Sequence, residues 1–150
     1  MIDLYTEKTI DLFIREPEPG DQNFINNSWL KSFEKPMAAV PKELYRKGQM
    51  KLMARLMEES TCYIACSPEE LTQIYGWMVF GKIGDIGMLH YIYVKHPYRR
   101  FGIGGKLFSM LICDKSVPVI ATHATMYLDH IKDKWNLTYN PYMLLENVYE

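Results

Sequence analysis

Residues 90–107 have the sequence HYIYVKHPYRRFGIGGKL, which contains the most informative pattern in the chain. Its first half alternates β-branched and aromatic residues, which is typical of a strand, and Pro97 indicates that this strand ends near Lys95. Three glycines then permit positive φ angles and a close backbone approach; they are Gly102, Gly104 and Gly105. Apolar residues at helical spacing follow. The stretch therefore predicts a strand, a tight glycine turn and the start of a helix.

Such a turn suits an anion, because unpaired backbone amides and the positive end of a helix meet there. Arg99, Arg100 and Lys106 add positive charge. A P-loop is excluded because Lys106 is followed by Leu107, so the magnesium-binding hydroxyl is missing. A dinucleotide-binding Gly-x-Gly-x-x-Gly motif fits poorly, because Leu107 stands at the third glycine. A plain glycine turn with surface arginines is the structural alternative.

The stretch resembles the pyrophosphate-binding motif of the GNAT superfamily of N-acetyltransferases, which reads Gln/Arg-x-x-Gly-x-Gly/Ala and is matched by residues 99–104. In that family a valine lies five residues before the arginine and an aromatic residue often directly before it; Val94 and Tyr98 occupy these positions. The resemblance implies that the turn binds the diphosphate of acetyl-CoA and that the strand backbone binds its pantetheine arm. The coenzyme contacts that it implies are Ile92, Tyr93, Val94, Arg99, Arg100, Phe101, Gly102, Ile103, Gly104, Gly105 and Lys106.

The hydrophobic pattern along the chain predicts elements in the order βααβββαβαβ, hence an α/β domain with a mixed sheet. Gly76, inside the third strand, indicates a bulge or a close neighbour. The similarity to GNAT proteins implies a mostly antiparallel sheet flanked by helices, with strands four and five splayed apart. The predicted strands cover residues 9–15, 61–65, 72–80, 88–95 and 117–122, and the predicted helices cover 21–33, 41–59, 103–114 and a segment from 122 or 123. A last hairpin is expected from 137–139 and 142–145.

Acetyl transfer to an amine needs a deprotonated amine, a donor to the oxyanion and a proton for the thiolate. His90 lies four residues before Val94 and is predicted to share its strand face; by resemblance to arylalkylamine acetyltransferases it is the candidate base. A half-buried histidine bonded to a neighbour is the structural alternative. The acid usual in the family is a tyrosine in the last helix, whose position falls here on about Lys132. Tyr127 and Tyr139 are the candidate replacements.

The composition indicates one globular domain over residues 1–150, with 48% hydrophobic and 23% charged residues. No run approaches the ~18 apolar residues of a membrane helix, and the polar start of the chain predicts no secretory signal. An odd number of cysteines in apolar surroundings predicts buried thiols and a cytoplasmic location; they are Cys62, Cys66 and Cys113. No metal site is expected, because no His and Cys spacing supports one.

These patterns predict an N-acetyltransferase that moves an acetyl group from acetyl-CoA directly to a primary amine. One alternative is a non-catalytic acyl-CoA-binding or interaction module, because the usual tyrosine is missing. Another is an acyltransferase that acts on a protein or a modified nucleobase. Its acceptor would dock on the basic face of the second helix, which is otherwise a solvated surface. That face is formed by Lys42, Arg46, Lys47, Lys51 and Arg55. A net charge of −1 gives no general attraction to nucleic acid.

Two further expectations concern the acceptor and the assembly. The first two helices and strands three to five are expected to form the acceptor pocket. The aromatic residues available to line this pocket are Trp29, Phe33, Tyr45, Tyr75, Trp77 and Tyr91. Their spacing is also typical of residues in a hydrophobic core. The short chain after Tyr139 suggests that a partner chain completes the last strand in a homodimer.

Overall fold

A computed structural model describes residues 9–111 and 118–145 of the chain. Six strands form one sheet in which neighbours in the sequence are neighbours in the sheet. They are β1 (Phe13–Arg15), β2 (Thr61–Cys66), β3 (Ile74–Ile83), β4 (Ile86–Val94), β5 (Val119–Ala121) and β6 (Leu137–Tyr139). The first four strands are antiparallel, β5 runs parallel to β4, and β6 runs parallel to β5. The predicted mixed, mostly antiparallel sheet is confirmed.

Four helices flank this sheet: α1 (Gln22–Phe33), α2 (Lys42–Glu59), α3 (Ile103–Ser109) and α4 (Leu128–Ile131). The predicted bounds of the first two are confirmed, with Asp21 and Pro41 directly before them. The third was predicted to run to 114, but α3 ends at Ser109, and residues 112–117 lie outside the described part. The fourth begins later than predicted, because the chain at Thr122 and His123 holds buried side-chain hydrogen bonds instead of starting a helix.

Both faces of the sheet are covered, which gives two hydrophobic clusters. One lies between the sheet and α1 and α2, and includes Trp29, Met53 and Trp77. The other lies between the sheet and α3, and includes Met78 and Leu107. Because the side chains of a strand alternate between faces, a strand covered on both sides is apolar throughout. This accounts for the continuous buried run over the first seven residues of β3.

The central strands approach closely at Gly76. A Cβ atom at this position would lie 2.3 Å from the carbonyl oxygen of Tyr93 in β4. A bulge also occurs beside it, because Ala65 pairs with Gly76 whereas Cys66 pairs with Ile74. The close neighbour predicted from the sequence is therefore confirmed, and only glycine fits here.

The sheet opens between β4 and β5. These strands pair only where Gly87, Met88 and Leu89 face the three residues of β5. The amide of Thr122 still donates to the carbonyl of Leu89 at 3.1 Å. Beyond this point β4 continues to Val94 with no β5 partner in the described part of the chain. The predicted splay of strands four and five is therefore confirmed.

The predicted last hairpin is wrong in its second half. Residues 137–139 form β6, but Pro141–Leu144 form a 3₁₀ helix. The side chain of Asn140 accepts a hydrogen bond from the amide of Tyr142 at 3.0 Å, which favours a turn over an antiparallel return. A partner chain that completes the sheet edge beyond β6 stays a prediction.

Two of the three cysteines lie in the described ranges. Cys62 and Cys66 are free thiols in the core of the domain, and burial raises the pKa of Cys62 to about 12. Cys113 lies outside the described residues. None of the described helices has the length and apolar character needed to cross a membrane.

Replacing Gly76 with alanine is expected to lower the free energy of unfolding by about 1–3 kcal/mol, because the added methyl group meets backbone rather than a movable side chain. Gly48 in α2 is the matched control, since nothing lies within 4 Å of its Cβ position. Gly48→Ala is expected to stabilise by about 0.5–1 kcal/mol. Urea unfolding of both variants measures the difference; equal stability of the two would contradict the close approach.

Candidate active site

The opening between β4 and β5 forms a cleft of about 230 Å³. One wall is β4 over residues 91–94, and the opposite wall is the segment that follows β5. The side chains and backbone that line it come from Ser32, Tyr91, Ile92, Tyr93, Val94, Arg99, Gly104, Thr125, Met126, Tyr127, Ile131 and Trp135. The end of β4, the glycine turn and the entry to α4 therefore meet at this cleft; the first two contain the residues predicted to bind the coenzyme.

Backbone groups of β4 point into this cleft. The amide of Lys95 donates to the carbonyl of Tyr75 in β3 at 2.8 Å. Since successive backbone groups of a strand point to opposite sides, Tyr93 also bonds toward β3, whereas Ile92 and Val94 point toward the open side. The two predicted main-chain contacts thus face the cleft, and Tyr93 offers its side chain only.

The glycine turn has a left-handed backbone at Gly102, whereas Gly104 and Gly105 lie inside α3 and do not use the positive φ angle that glycine permits. Gly102 has a φ angle of 74°, and Arg100 has a φ angle of 73°, which is uncommon for a residue with a side chain. The helix α3 begins directly afterwards, where the amide of Lys106 donates to the carbonyl of Gly102 at 3.1 Å. A Cβ atom on Gly104 would lie 3.7 Å from Trp135. Gly104 therefore lies where the turn meets the cleft wall.

The other predicted residues of the turn differ in exposure. Arg99, Arg100, Gly105 and Lys106 are exposed, and Phe101 is half-buried. Ile103 is buried in the cluster beneath α3, so only its backbone can reach a ligand.

Arg99 connects the two walls of the cleft. Its Nε donates to the carbonyl of Val94 at 3.1 Å, and its Nη1 donates to the hydroxyl of Tyr127 at 3.3 Å. The guanidinium carbon also lies 5.8 Å from the centre of the Tyr127 ring. Tyr127, a candidate acid, therefore lines the cleft with 54% of its surface exposed. Tyr139, the other candidate, lies in β6 opposite Ala121 and is absent from the cleft lining.

A pair of hydroxyl groups lies at the inner end of the cleft. The hydroxyl of Tyr91 is 2.7 Å from that of Ser32 in α1. Burial raises the pKa of Tyr91 to about 12, so the phenol stays protonated at neutral pH. The sequence indicated Tyr91 only as an aromatic residue for the acceptor pocket. Ser32 carried no signal, because its position depends on how α1 packs against β4.

His90 is displaced by a bulge in β4. Val79 pairs with Tyr91 but Phe80 pairs with Leu89, so His90 is an extra residue without a partner in β3. The prediction that His90 shares a face with Val94 is wrong, because the extra residue reverses the alternation and turns the ring toward α2. Only 3% of its surface is exposed, and it does not line the cleft.

The ring of His90 begins a buried chain of polar groups. Its Nδ1 lies 3.0 Å from the hydroxyl of Thr122, which lies 3.1 Å from Nδ1 of His123. The Nε2 of His123 lies 3.1 Å from the side-chain nitrogen of Gln49 in α2. Burial, followed by the charge of Arg55, lowers the pKa of His90 to about 4. Burial lowers the pKa of His123 to about 3, so both rings are neutral at pH 7.

In residues 9–111 and 118–145, no group of three His, Cys, Asp or Glu side chains is arranged to hold a metal ion.

No family model and no curated protein matches the chain. Among solved structures, a possible acetyltransferase from Clostridium difficile 630 superposes with a TM-score of 0.57 at 16% identity, over 93% of this chain and 95% of that chain. A GNAT family acetyltransferase from Brucella melitensis in complex with acetyl-CoA aligns with a TM-score of 0.46 at 19% identity, over 67% of this chain and 65% of that chain. YhbS, a GNAT family N-acetyltransferase from Escherichia coli in complex with CoA, aligns with a TM-score of 0.47 at 21% identity, over 71% of this chain and 57% of that chain.

The sheet order, the splay and the Clostridium difficile superposition together show that the chain has the fold of the GNAT acetyltransferases. The fold predicted from residues 90–107 is confirmed. The chain spans 36% of the length of a matching Pyrococcus horikoshii chain.

The buried histidines are expected to make the protein less stable in mild acid. Their folded pKa values of about 4 and 3 lie below the ordinary value of 6.5, so the unfolded chain binds more protons below about pH 6.5. The free energy of unfolding should therefore fall as pH decreases from 7 to 5, by up to about 1.4 kcal/mol per pH unit for each histidine. Urea unfolding at a series of pH values measures this slope.

The substitutions His90→Gln and His123→Gln should each flatten that slope. His130→Gln is the control, because His130 is exposed and lies outside the buried chain. A slope that is the same in all three variants would show that the buried rings are not its source.

Proposed function

We propose that the protein is an N-acetyltransferase that moves an acetyl group from acetyl-CoA directly to a primary amine. The observation that carries the proposal is the open edge of β4, where the backbone of Ile92 and Val94 faces a cleft that ends at a glycine turn. The carbonyl of Val94 already accepts a hydrogen bond from Arg99, and the other backbone groups of this edge need hydrogen-bonding partners. An extended pantetheine arm with two amide groups supplies them.

The residues at the two ends of the cleft fit the two ends of the coenzyme. At the turn, backbone amides of residues 102–105 suit the diphosphate, with added charge from Arg99, Arg100 and Lys106. Gly104 permits close approach, since a side chain there would project toward Trp135 and Val94. Tyr93 and Phe101 supply apolar surface beside the arm. The thioester then lies toward Tyr91, at the inner end.

In the proposed reaction, the bound coenzyme supplies an activated acetyl group. The amine nitrogen forms a bond to the carbonyl carbon while the carbon–sulfur bond breaks. One proton leaves the nitrogen and one proton reaches the thiolate. An amide and free CoA are the products, so atoms and charge balance without an oxidant or a metal ion.

The three catalytic candidates differ in their access to this chemistry. Tyr127 is the one candidate whose side chain lines the cleft, but its hydroxyl is bonded to Arg99 and must leave it to reach a thiolate near Tyr91. Tyr139 is in β6, on the far side of β5 from β4, and has the weaker claim. His90 is neutral and can accept a proton, but its ring faces the buried Thr122. As a base it would need a route past Tyr91.

The acceptor is a small amine, or an amine on a protein or a nucleobase. The basic face of α2 favours an acceptor on a polymer. Four of its residues are exposed, namely Lys42, Arg46, Lys47 and Lys51. Arg55 instead bonds to the carbonyl of Leu144 and is partly buried. A polymer acceptor should lose activity steeply with salt, whereas a neutral small amine should not.

A second candidate is a non-catalytic acyl-CoA-binding module. It is favoured by the composition of the cleft, which contains no imidazole or carboxylate among the described residues that line it. Such a module would bind acetyl-CoA as tightly as the enzyme but would release no thiol.

Coenzyme A is expected to raise the melting temperature. At 100 times its Kd it adds about 2.7 kcal/mol of apparent stability. Gly104→Leu should abolish this shift by filling the cleft, and Gly20→Leu should keep it, because the Cβ position of Gly20 has open space outside the cleft. Thermal denaturation with and without CoA measures both. A wild-type protein that shows no shift would refute the coenzyme site.

Thiol release from acetyl-CoA over a panel of primary amines separates the enzyme from the binding module. We expect turnover in the wild-type protein and a decrease of about 10²-fold or more in Tyr127→Phe, if that hydroxyl protonates the leaving thiolate. His90→Ala tests the base; unchanged turnover in this variant would remove His90 from the mechanism. Coenzyme binding without thiol release for any amine would favour the binding module.

A further inference from the structure

Tyr91 occupies a particular place relative to the opening of the sheet. Leu89 is the last residue of β4 that pairs with β5, His90 is the bulged residue, and Tyr91 is the first to pair again with β3. Its side chain lines the cleft together with Ser32, three residues along β4 from Val94, which lies beside Gly104. If the diphosphate lies at the glycine turn, the reacting carbonyl lies at the end formed by Tyr91 and Ser32.

The ring of Tyr91 is held in one orientation by its neighbours. It stacks on Trp29 with ring centres 5.1 Å apart and on Trp77 at 5.6 Å. The edges of Phe33 and His123 complete the enclosure at 5.9 and 5.8 Å. A phenol enclosed in this way cannot swing, so its hydroxyl is fixed at the cleft. Fixed donors are the ones that stabilise developing charge without reorganisation.

Ser32 can set the direction of the Tyr91 hydroxyl. The two oxygens are 2.7 Å apart, and either can donate. The Ser32 hydroxyl donates a hydrogen bond to the carbonyl of Trp29 at 3.3 Å, and it gives up this longer bond when it donates to Tyr91 instead. When Ser32 donates to Tyr91, the phenolic proton is free to point into the cleft. Ser32 is therefore a positioning residue for Tyr91.

From this geometry we infer that Tyr91, oriented by Ser32, donates a hydrogen bond to the carbonyl oxygen of the bound thioester and stabilises the negative charge that develops there. The inference rests on the proposed function, and it adds a catalytic residue from the core of the sheet. In this step the carbon–nitrogen bond forms and the carbonyl electrons move to oxygen. They return as the carbon–sulfur bond breaks, and the Tyr91 proton stays on its phenol throughout.

The phenol is suited to donation rather than to proton transfer. Burial is the main cause of its raised pKa, and the hydrogen bond with Ser32 opposes that effect in part. A neutral donor is therefore available over the whole physiological pH range. Its contribution to the rate should not depend on pH between 6 and 9, unlike that of a titrating acid or base.

Infrared spectroscopy of acetyl-CoA labelled with ¹³C at the acetyl carbonyl tests the inference without requiring turnover. In the wild-type complex the carbonyl stretch should lie at lower frequency than in the Tyr91→Phe complex, because the hydrogen bond weakens the double bond. The Phe ring preserves the aromatic stacking, so the fold is retained. Tyr63→Phe is the matched control, since Tyr63 lies in β2, half-buried and outside the cleft.

Steady-state kinetics with an amine acceptor that is turned over provide a second test of the role of Tyr91. Tyr91→Phe should lower kcat by about 10²-fold, as the loss of an oxyanion donor does, while changing the Kd for CoA by less than about twofold. Ser32→Ala should lower kcat by a smaller factor with KM unchanged, and Ser32→Thr should restore it. The double variant should be no slower than Tyr91→Phe alone, because the two hydroxyls act as one unit.

Each outcome decides between the two proposals. Equal carbonyl frequencies in wild type and Tyr91→Phe would overturn the role of Tyr91 and leave the acetyltransferase proposal intact. Failure of the wild-type protein to bind acetyl-CoA would overturn both. Binding with a lowered carbonyl frequency but no thiol release would support the hydrogen bond and refute the enzyme.

Discussion

The cleft exists because the pairing between β4 and β5 ends at Leu89. Buried backbone amides and carbonyls without partners are costly, at about 1–3 kcal/mol for each group. Here the protein satisfies part of the open edge itself, since Arg99 donates to the carbonyl of Val94. The remainder faces a cleft. An opening of this kind is retained only where the rest of the sheet is held firmly, and the long pairing of β3 with β4 provides that support.

The bulge at His90 converts this opening into an asymmetric site. In a regular strand Leu89 and Tyr91, two residues apart, would share one face of the sheet; because of the bulge, Leu89 packs under α3 and Tyr91 packs under α1. The same displacement turns the imidazole into a buried network with Thr122 and His123. The bulge thus places the aromatic ring of Tyr91 on one face of the sheet and the side chain of Leu89 on the other.

The sequence was sufficient for features that depend on local chemistry. Proline and glycine fixed the ends of the segment at 90–107, and Asp21 and Pro41 marked the starts of the first two helices. It was insufficient where one residue changes a register, because periodicity cannot show a bulge such as the one at His90. It also could not place Ser32, which reaches the cleft only through the packing of α1. The 3₁₀ helix after Asn140 was missed because Asn-Pro is compatible with either a hairpin or a turn.

The contact between Gly76 and the carbonyl of Tyr93 has a consequence for the size of the cleft. Because β3 already touches β4 at this point, the β4 wall of the cleft cannot move back to admit a larger ligand. Extra room must come from the opposite side, where Met126 and Ile131 are side chains that can be shortened. The width of the cleft is therefore set by the side chains that follow β5 rather than by the position of β4.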